Sequence, residues 1–188
     1  MWWLLALCGI LDAACAAMNL LMLNPDAPNM VRNMSMLALA AGVCAVVAGL
    51  PFSGRGSSWL LALHGLALGT FGLIGVSPLV RGPLSFRALS VLFVLMAGSI
   101  ALFALRAVQT RRTGTPDTWF FSVIGVASMG YAISFIAVGF GWIRPGPQTF
   151  WTGMGSYFGV CAVFMLYLAL RGGSQASVPL IRTPRHAH

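Results

Sequence analysis

Long apolar runs separated by short, proline-bearing polar stretches dominate this chain, and the pattern occurs six times. The runs lie near 2–23, 32–52, 58–79, 87–108, 118–142 and 149–170. Each is long enough to cross a bilayer core, which takes about 20 helical residues. Gly, Ser or Pro near some run ends does not argue against helix, because membrane helices tolerate them better than soluble ones. Backbone chemistry decides helix over strand, since an open sheet edge leaves N–H and C=O groups unsatisfied in lipid. The connections hold the breakers: Asn24-Pro25 to Pro28, Ser53 to Ser58, Pro78 to Pro83, Thr110 to Pro116 and Arg144 to Pro147. Each is short, so consecutive helices are expected to be antiparallel neighbours. The predicted fold is all-α, a polytopic membrane protein with six transmembrane helices. One domain covers 1–171, and the Gly/Ser/Pro/Arg-rich remainder, 172–188, is expected to be a mobile cytoplasmic tail.

The chain also resembles itself, which is best sought early. WLLALCGI from Trp3, WLLALHGL from Trp59 and WFFSVIGV from Trp119 each open an odd-numbered run, with Gly9, Gly65 and Gly125 at the same offset. The even-numbered runs share GVCAV at Gly42 and again at Gly159, with GSIAL at Gly98 in the equivalent place. The copies start 56 and then 60 residues apart. Three tandem helical hairpins are therefore expected, over about 1–54, 55–113 and 114–171. Trp3, Trp59 and Trp119 suit a membrane interface, where the amphipathic indole ring anchors. Gly9, Gly65, Gly69, Gly125, Gly155 and Gly159 are expected to pack helices closely, because lipid tails supply no hydrophobic drive for association. Gly65-x-x-x-Gly69 and Gly155-x-x-x-Gly159 have small-xxx-small spacing, used either within the chain or as a homo-oligomer seam.

Composition agrees with lipid as the solvent. Apolar residues make up 59% of the 188 and charged residues 7%, too few to clothe a core in water. The net charge of +8 comes from arginine alone, placed at run ends and in loops. That pattern is read by the translocation machinery and by anionic headgroups rather than by nucleic acid. No aromatic-basic stripe of a nucleic-acid binder is present. Arg55, Arg106, Arg111, Arg112, Arg171, Arg182 and Arg185 fall on the side reached after even-numbered runs. Arg32, Arg81, Arg87 and Arg144 fall on the other side. The excess predicts both termini in the cytoplasm, as a multi-pass protein of the bacterial inner membrane, although Arg171 and the tail arginines supply the whole margin. No signal peptide is expected, because MWWLL lacks a basic n-region and Asp12 interrupts the first run.

Three hairpins opening with W-[LF]-[LF]-x-x-x-G, each with a proline turn, resemble the HdeD family of bacterial six-helix membrane proteins. The likeness spans Trp2 to Arg171 and includes Gly9-Ile10-Leu11-Asp12. It implies a role in acid resistance, especially at high cell density, and brings no defined catalytic residues. The third copy departs from the pattern, where Gly141-Trp142 and Arg144-Pro145-Gly146-Pro147 lengthen the turn. That departure fits docking on another membrane protein.

Candidate chemistry is sparse. Asp12 is the only acid inside a run, about 15 Å from its start at ~1.5 Å per residue and so near the midplane. A charge there costs about 3 kcal/mol on insertion scales, so the residue should face the bundle interior. Cys8, Asp12, Cys15 and Asn19 are spaced to form one weakly polar stripe, with Asn19 able to bond across helices. His64 is the only histidine in a run, and one imidazole cannot supply two axial haem ligands. Asp12 and His64 differ in depth, which argues against a pair. Asp12, Asn19 and His64 are thus the intramembrane polar candidates, read either as packing residues or as a proton or ligand site. The cysteines Cys8, Cys15, Cys44 and Cys161 show no metal spacing and read as small apolar packers. Thr149, Thr152, Ser156 and Tyr157, with Ser128, Tyr131 and Ser134, offer hydroxyls to neighbouring helices. No Ser-His-Asp set, HExxH, phosphate loop or carboxylate pair occurs, so neither an enzyme nor a cofactor or metal site is expected.

Three readings stay open on the residues alone. One is a non-catalytic HdeD-type protein of envelope stress or scaffolding, with lipid and other copies as partners. Another is an accessory subunit of an energy-transducing membrane complex, docking through Phe135, Phe140, Trp142, Phe150 and Trp151. The third is a small-solute or proton transporter using Asp12.

Overall fold

A computed structural model describes residues 2–21, 28–50, 58–77, 86–110 and 116–176. Those residues form six helices: α1 (Trp2–Leu21), α2 (Pro28–Gly49), α3 (Ser58–Val76), α4 (Phe86–Thr110), α5 (Pro116–Gly139) and α6 (Pro147–Ala176). No strand occurs among the described residues, and all six helices are long and apolar enough to cross a membrane. The turns 22–27, 51–57, 78–85 and 111–115 and the tail 177–188, with His186 and His188, lie outside the described residues.

The helix boundaries depart from the sequence expectation in an instructive way. Pro28, Pro116 and Pro147, assigned above to turns, are the first residues of α2, α5 and α6. Proline's fixed φ suits that position, and its missing N–H would have no helical partner there anyway. α6 continues to Ala176, five residues into the segment assigned to the tail. Its 30 residues exceed what a hydrocarbon core of ~30 Å needs at ~1.5 Å per residue, so its ends reach past the lipid. α5 ends in a Schellman cap, with Gly141 N–H donating to Val138 O at 3.0 Å and Trp142 N–H to Ala137 O at 2.9 Å. Gly141 carries a φ of 76°, the left-handed turn that closes the cap. The residues that lengthen the third turn are therefore an orderly helix stop.

The helices form a ring in chain order, closed by α1 against α6. Packing is most extensive for α2 with α3, α1 with α6, and α4 with α5. Those pairs join different hairpins; partners within a hairpin touch less, and α5 and α6 touch least. Facing residues establish that the three dominant pairs are antiparallel. On α6, Gly155 meets Asn19 and Gly172 meets Trp2 of α1; on α3, Gly65 meets Gly42 and Gly75 meets Ser35 of α2; on α5, Gly125 meets Ala104 and Gly139 meets Ser90 of α4.

Two kinds of seam hold the ring. α2 and α3 approach backbone to backbone through Ser35, Leu39, Gly42 and Val46 on one side and Gly65, Gly69 and Gly72 on the other. Such close approach maximises van der Waals contact where lipid offers no solvophobic drive. α5 and α6 are instead bridged by long aromatic side chains: Tyr131 on Tyr157 at 5.5 Å, Phe135 on Phe150 at 6.4 Å, and Phe120 stacked on Tyr167 at 3.8 Å. The interior is filled by rings and methionines, among them Phe93, Met96, Tyr157, Phe158, Phe164 and Met165, all fully buried. Leucine, valine and tryptophan cover the outside.

Candidate functional site

α1 lays its whole weakly polar stripe inward. Cys8, Asp12, Cys15 and Asn19 are all buried, Asp12 completely. Residues one helical turn apart share a face, so this stripe meets one partner surface, the angle between α2 and α6. The Cys8 thiol donates to Asp12 Oδ2 at 3.8 Å, and the Cys15 thiol donates to the Met34 carbonyl of α2 at the same distance. Asn19 Nδ2 donates to the Cys15 carbonyl on its own helix and to the Met34 sulfur across the seam, both at 2.8 Å. Asn19 thus fixes α1 on α2 through a thioether.

The group facing Asp12 was not legible as a site in the sequence. Cys44 of α2 and Tyr157 and Cys161 of α6 all lie within electrostatic range of its carboxyl. All four cysteines, spread over three helices, are thus within electrostatic range of one acid, although among the described residues only Cys8 bonds to it. Asp12 Oδ1 has no hydrogen-bond partner among the described residues. Tyr157 Oη approaches the Cys161 thiol one turn on but has no nitrogen or oxygen partner among the described residues. No group of three or more His, Cys, Asp or Glu among the described residues is arranged to hold a metal.

His64 lies elsewhere, on the seam between α3 and α4. Its Nδ1 sits 3.3 Å from the Met96 carbonyl, which also accepts the Ser99 hydroxyl at 2.8 Å. The ring is buried and Nε2 has no partner among the described residues. The hydroxyls of α5 and α6 divide in the same way. Ser128 is buried without a partner among the described residues, whereas Ser134 returns to the Gly130 carbonyl and Ser156 to Gly153. Thr149 and Thr152 point outward. The hydroxyl row of α6 therefore lines no interior path, and only Tyr157, one step round, reaches the core.

The candidate packing glycines behave unequally. An added Cβ at Gly9 would lie 2.8 Å from Leu166 Cγ, at Gly65 2.7 Å from the Gly42 carbonyl, and at Gly155 2.7 Å from Asn19 Cβ. At Gly125 it would meet Ala104 at 3.3 Å, at Gly159 only Ala16 at 4.0 Å, and at Gly69 nothing. Both small-xxx-small motifs face helices of the same chain. Trp3, Trp59 and Trp119 are exposed at one end of the bundle, where Arg106 lies 6.0 Å from the centre of the Trp59 ring.

At that same end the fold holds a clamp that was overlooked in the sequence. Asp117, in the first turn of α5, accepts from the Tyr167 hydroxyl and pairs with Arg171, both on α6. Arg171 Nε also donates to Tyr167 Oη at 3.3 Å. The available signal was an acid directly after a helix-starting proline, where the helix dipole favours negative charge. Because the Arg171 side chain is half exposed, Arg171→Ala should cost at most about 1 kcal/mol. Asp117→Ala should cost more, since it also removes the Tyr167 partner and the N-terminal charge. Reversible unfolding of the two variants in mixed micelles checks the order.

The outer face carries apolar grooves. The largest described one, about 430 Å³, runs between α4 and α5 and is lined by Ser90, Val94, Leu95, Phe135, Gly139 and Phe140. A second, about 270 Å³, lies between α2 and α3 beside Gly65 and Gly69. At the rim of the first, Phe140 and Trp142 stack at 5.3 Å and are both exposed. Phe135 and Phe150, grouped with them above as docking aromatics, are instead buried core residues. No family model, characterised protein or solved structure matches this chain.

Proposed function

We propose that this chain is a non-catalytic integral membrane protein of the HdeD type, acting in envelope stress or acid tolerance, or as a membrane scaffold. In this reading it sits in the bacterial inner membrane with both termini in the cytoplasm. The observation that carries the proposal is the filled interior. Rings from α3, α4, α5 and α6 meet at Phe93, while the described grooves open outward. A bundle packed in this way is suited to standing in the membrane and presenting its surface rather than to passing a solute. The repeated Trp and Gly positions and the HdeD-like pattern support the family reading. Survival of a deletion strain under acid and other envelope stress tests it: loss of survival, restored by the gene, is expected, and unaltered survival overturns the stress role.

A second reading, an accessory subunit of a larger membrane complex, is favoured by one feature. The exposed Phe140–Trp142 pair stands beside the α4/α5 groove on an ordered cap rather than on a slack loop. Purification from native membranes in mild detergent decides it, since migration as a lone protomer removes this reading.

A further inference from the structure

We propose that Asp12 is a proton-binding site at the centre of the bundle, with the proton carried on Oδ1 and the Cys8 thiol held on Oδ2. The inference is independent of the stress reading and begins with what surrounds the carboxyl. Its one hydrogen-bonding neighbour among the described residues is Cys8 on its own helix, and the other titratable groups within electrostatic range are Cys15 of α1, Cys44 of α2, and Tyr157 and Cys161 of α6. Every one of these groups is a weak acid, neutral when it holds its proton, and none is a cation. The described arginines Arg32, Arg106, Arg144 and Arg171 are all exposed, and His64 lies on α3, which does not pack on α1.

An ionised carboxylate in this setting would have one soft thiol contact and one bare oxygen. Burial of a charge without a partner is the costliest arrangement a protein interior can hold, and the remedy is neutralisation. The only carboxylate in the described residues with a cation is Asp117, held by Arg171 at the end of the bundle. The ligand must also fit the space. None of the described grooves is lined by Asp12, and the α1 seam against α6 is close-packed at Gly9 and Gly155. A proton needs no room. Binding forms one O–H bond at Oδ1 and cancels one negative charge, with no electron transfer and no leaving group. The other five buried side-chain atoms without partners among the described residues, which include Tyr157 Oη and Ser128 Oγ, supply no competing donor within bonding distance of Oδ1.

The chain is well suited to a direct test, because it has only three acidic side chains, Asp12, Asp26 and Asp117, and no glutamate. Infrared spectroscopy of the full-length protein in lipid vesicles at neutral pH reads protonated carboxyl groups by their C=O stretching band. One such band is expected, moved by transfer to heavy water, lost in Asp12→Asn and kept in Asp117→Asn. Cys8→Ala should shift the band to higher frequency, because the carboxyl loses its thiol contact; a residue with a merely structural role would leave the band where it was. This variant also decides the matter if Asp12→Asn does not assemble. Absence of the band in the wild type, its survival in Asp12→Asn, or an unmoved band in Cys8→Ala overturns the proposal.

Discussion

Phe93→Ala is expected to lower the stability of the bundle by about 2–4 kcal/mol, the largest effect of any single truncation in the interior. In a water-soluble core the same change costs about 3–5 kcal/mol, as lost transfer energy plus a cavity term. The transfer part shrinks here, because lipid is as apolar as the core it replaces. The cavity and ring terms remain, and at this position they are unusually concentrated. Phe93 is fully buried on α4 and touches five rings from three other helices. Phe135 of α5 stacks on it at 4.9 Å and Phe71 of α3 lies tilted at 5.3 Å. Phe150, Tyr157 and Phe158 of α6 meet it edge to face at 6.3–6.4 Å. Aromatic pairs contribute roughly 0.5–1.5 kcal/mol each beyond area, though values at one hub do not simply add. Phe93→Leu keeps most of the volume and should cost less than half as much. Unfolding of both variants in mixed micelles measures the difference; a cost for Phe93→Ala below about 1 kcal/mol would mean that the hub is not packed as described.

The same hub marks where sequence reading stops. The six helices were visible because length and hydropathy, not periodicity, identify a membrane span. Periodicity is what normally tells inside from outside, and here it is nearly silent, since a helix apolar all round can bury any face. α3 and α5 show this most clearly: Leu66 and Val126 face outward while Leu68 and Ile124 are buried, with no polar residue to mark the change. In lipid the sorting is by size and shape. Alanine and glycine lie where backbones touch, and rings fill the interior where they do not. Asp12 stood out because a carboxyl in an apolar run is conspicuous, but its companions did not. Cys161 and Tyr157 are brought within range of it by the closure of α6 on α1, a contact between the two ends of the chain, and Cys44 by the packing of α2. Pro28, Pro116 and Pro147 were misplaced for a local reason, because a proline that starts a helix and one that breaks it look alike until the following turn is seen.

The glycines give the sharpest separation between motif and contact. Gly65-x-x-x-Gly69 reads as one unit, yet the two positions should respond oppositely to alanine. Gly42, noted only as part of a repeated pentapeptide, should prove the critical residue of the seam. A Cβ at Gly42 would lie 2.7 Å from both the Gly65 carbonyl oxygen and Gly69 Cα, and also against Gly69 N. Those neighbours are backbone atoms in a helix and cannot rotate aside, so α2 and α3 must part. Overpacking of this kind costs about 1–3 kcal/mol, and the rigid partner puts Gly42→Ala at the upper end. Gly65→Ala should behave likewise, since its Cβ would fall 2.7 Å from Val46 N. At Gly69 the Cβ direction is open, with no atom within 4 Å, although the glycine's own backbone supports Gly42. Gly69→Ala should therefore be neutral, or stabilising by up to about 1 kcal/mol through helix propensity. Unfolding midpoints of the three variants in one micelle system supply the comparison. Equal losses at Gly42 and Gly69 would show that the two helices do not cross in this register, whereas a loss confined to Gly42 and Gly65 ties the stability of the ring to one backbone contact.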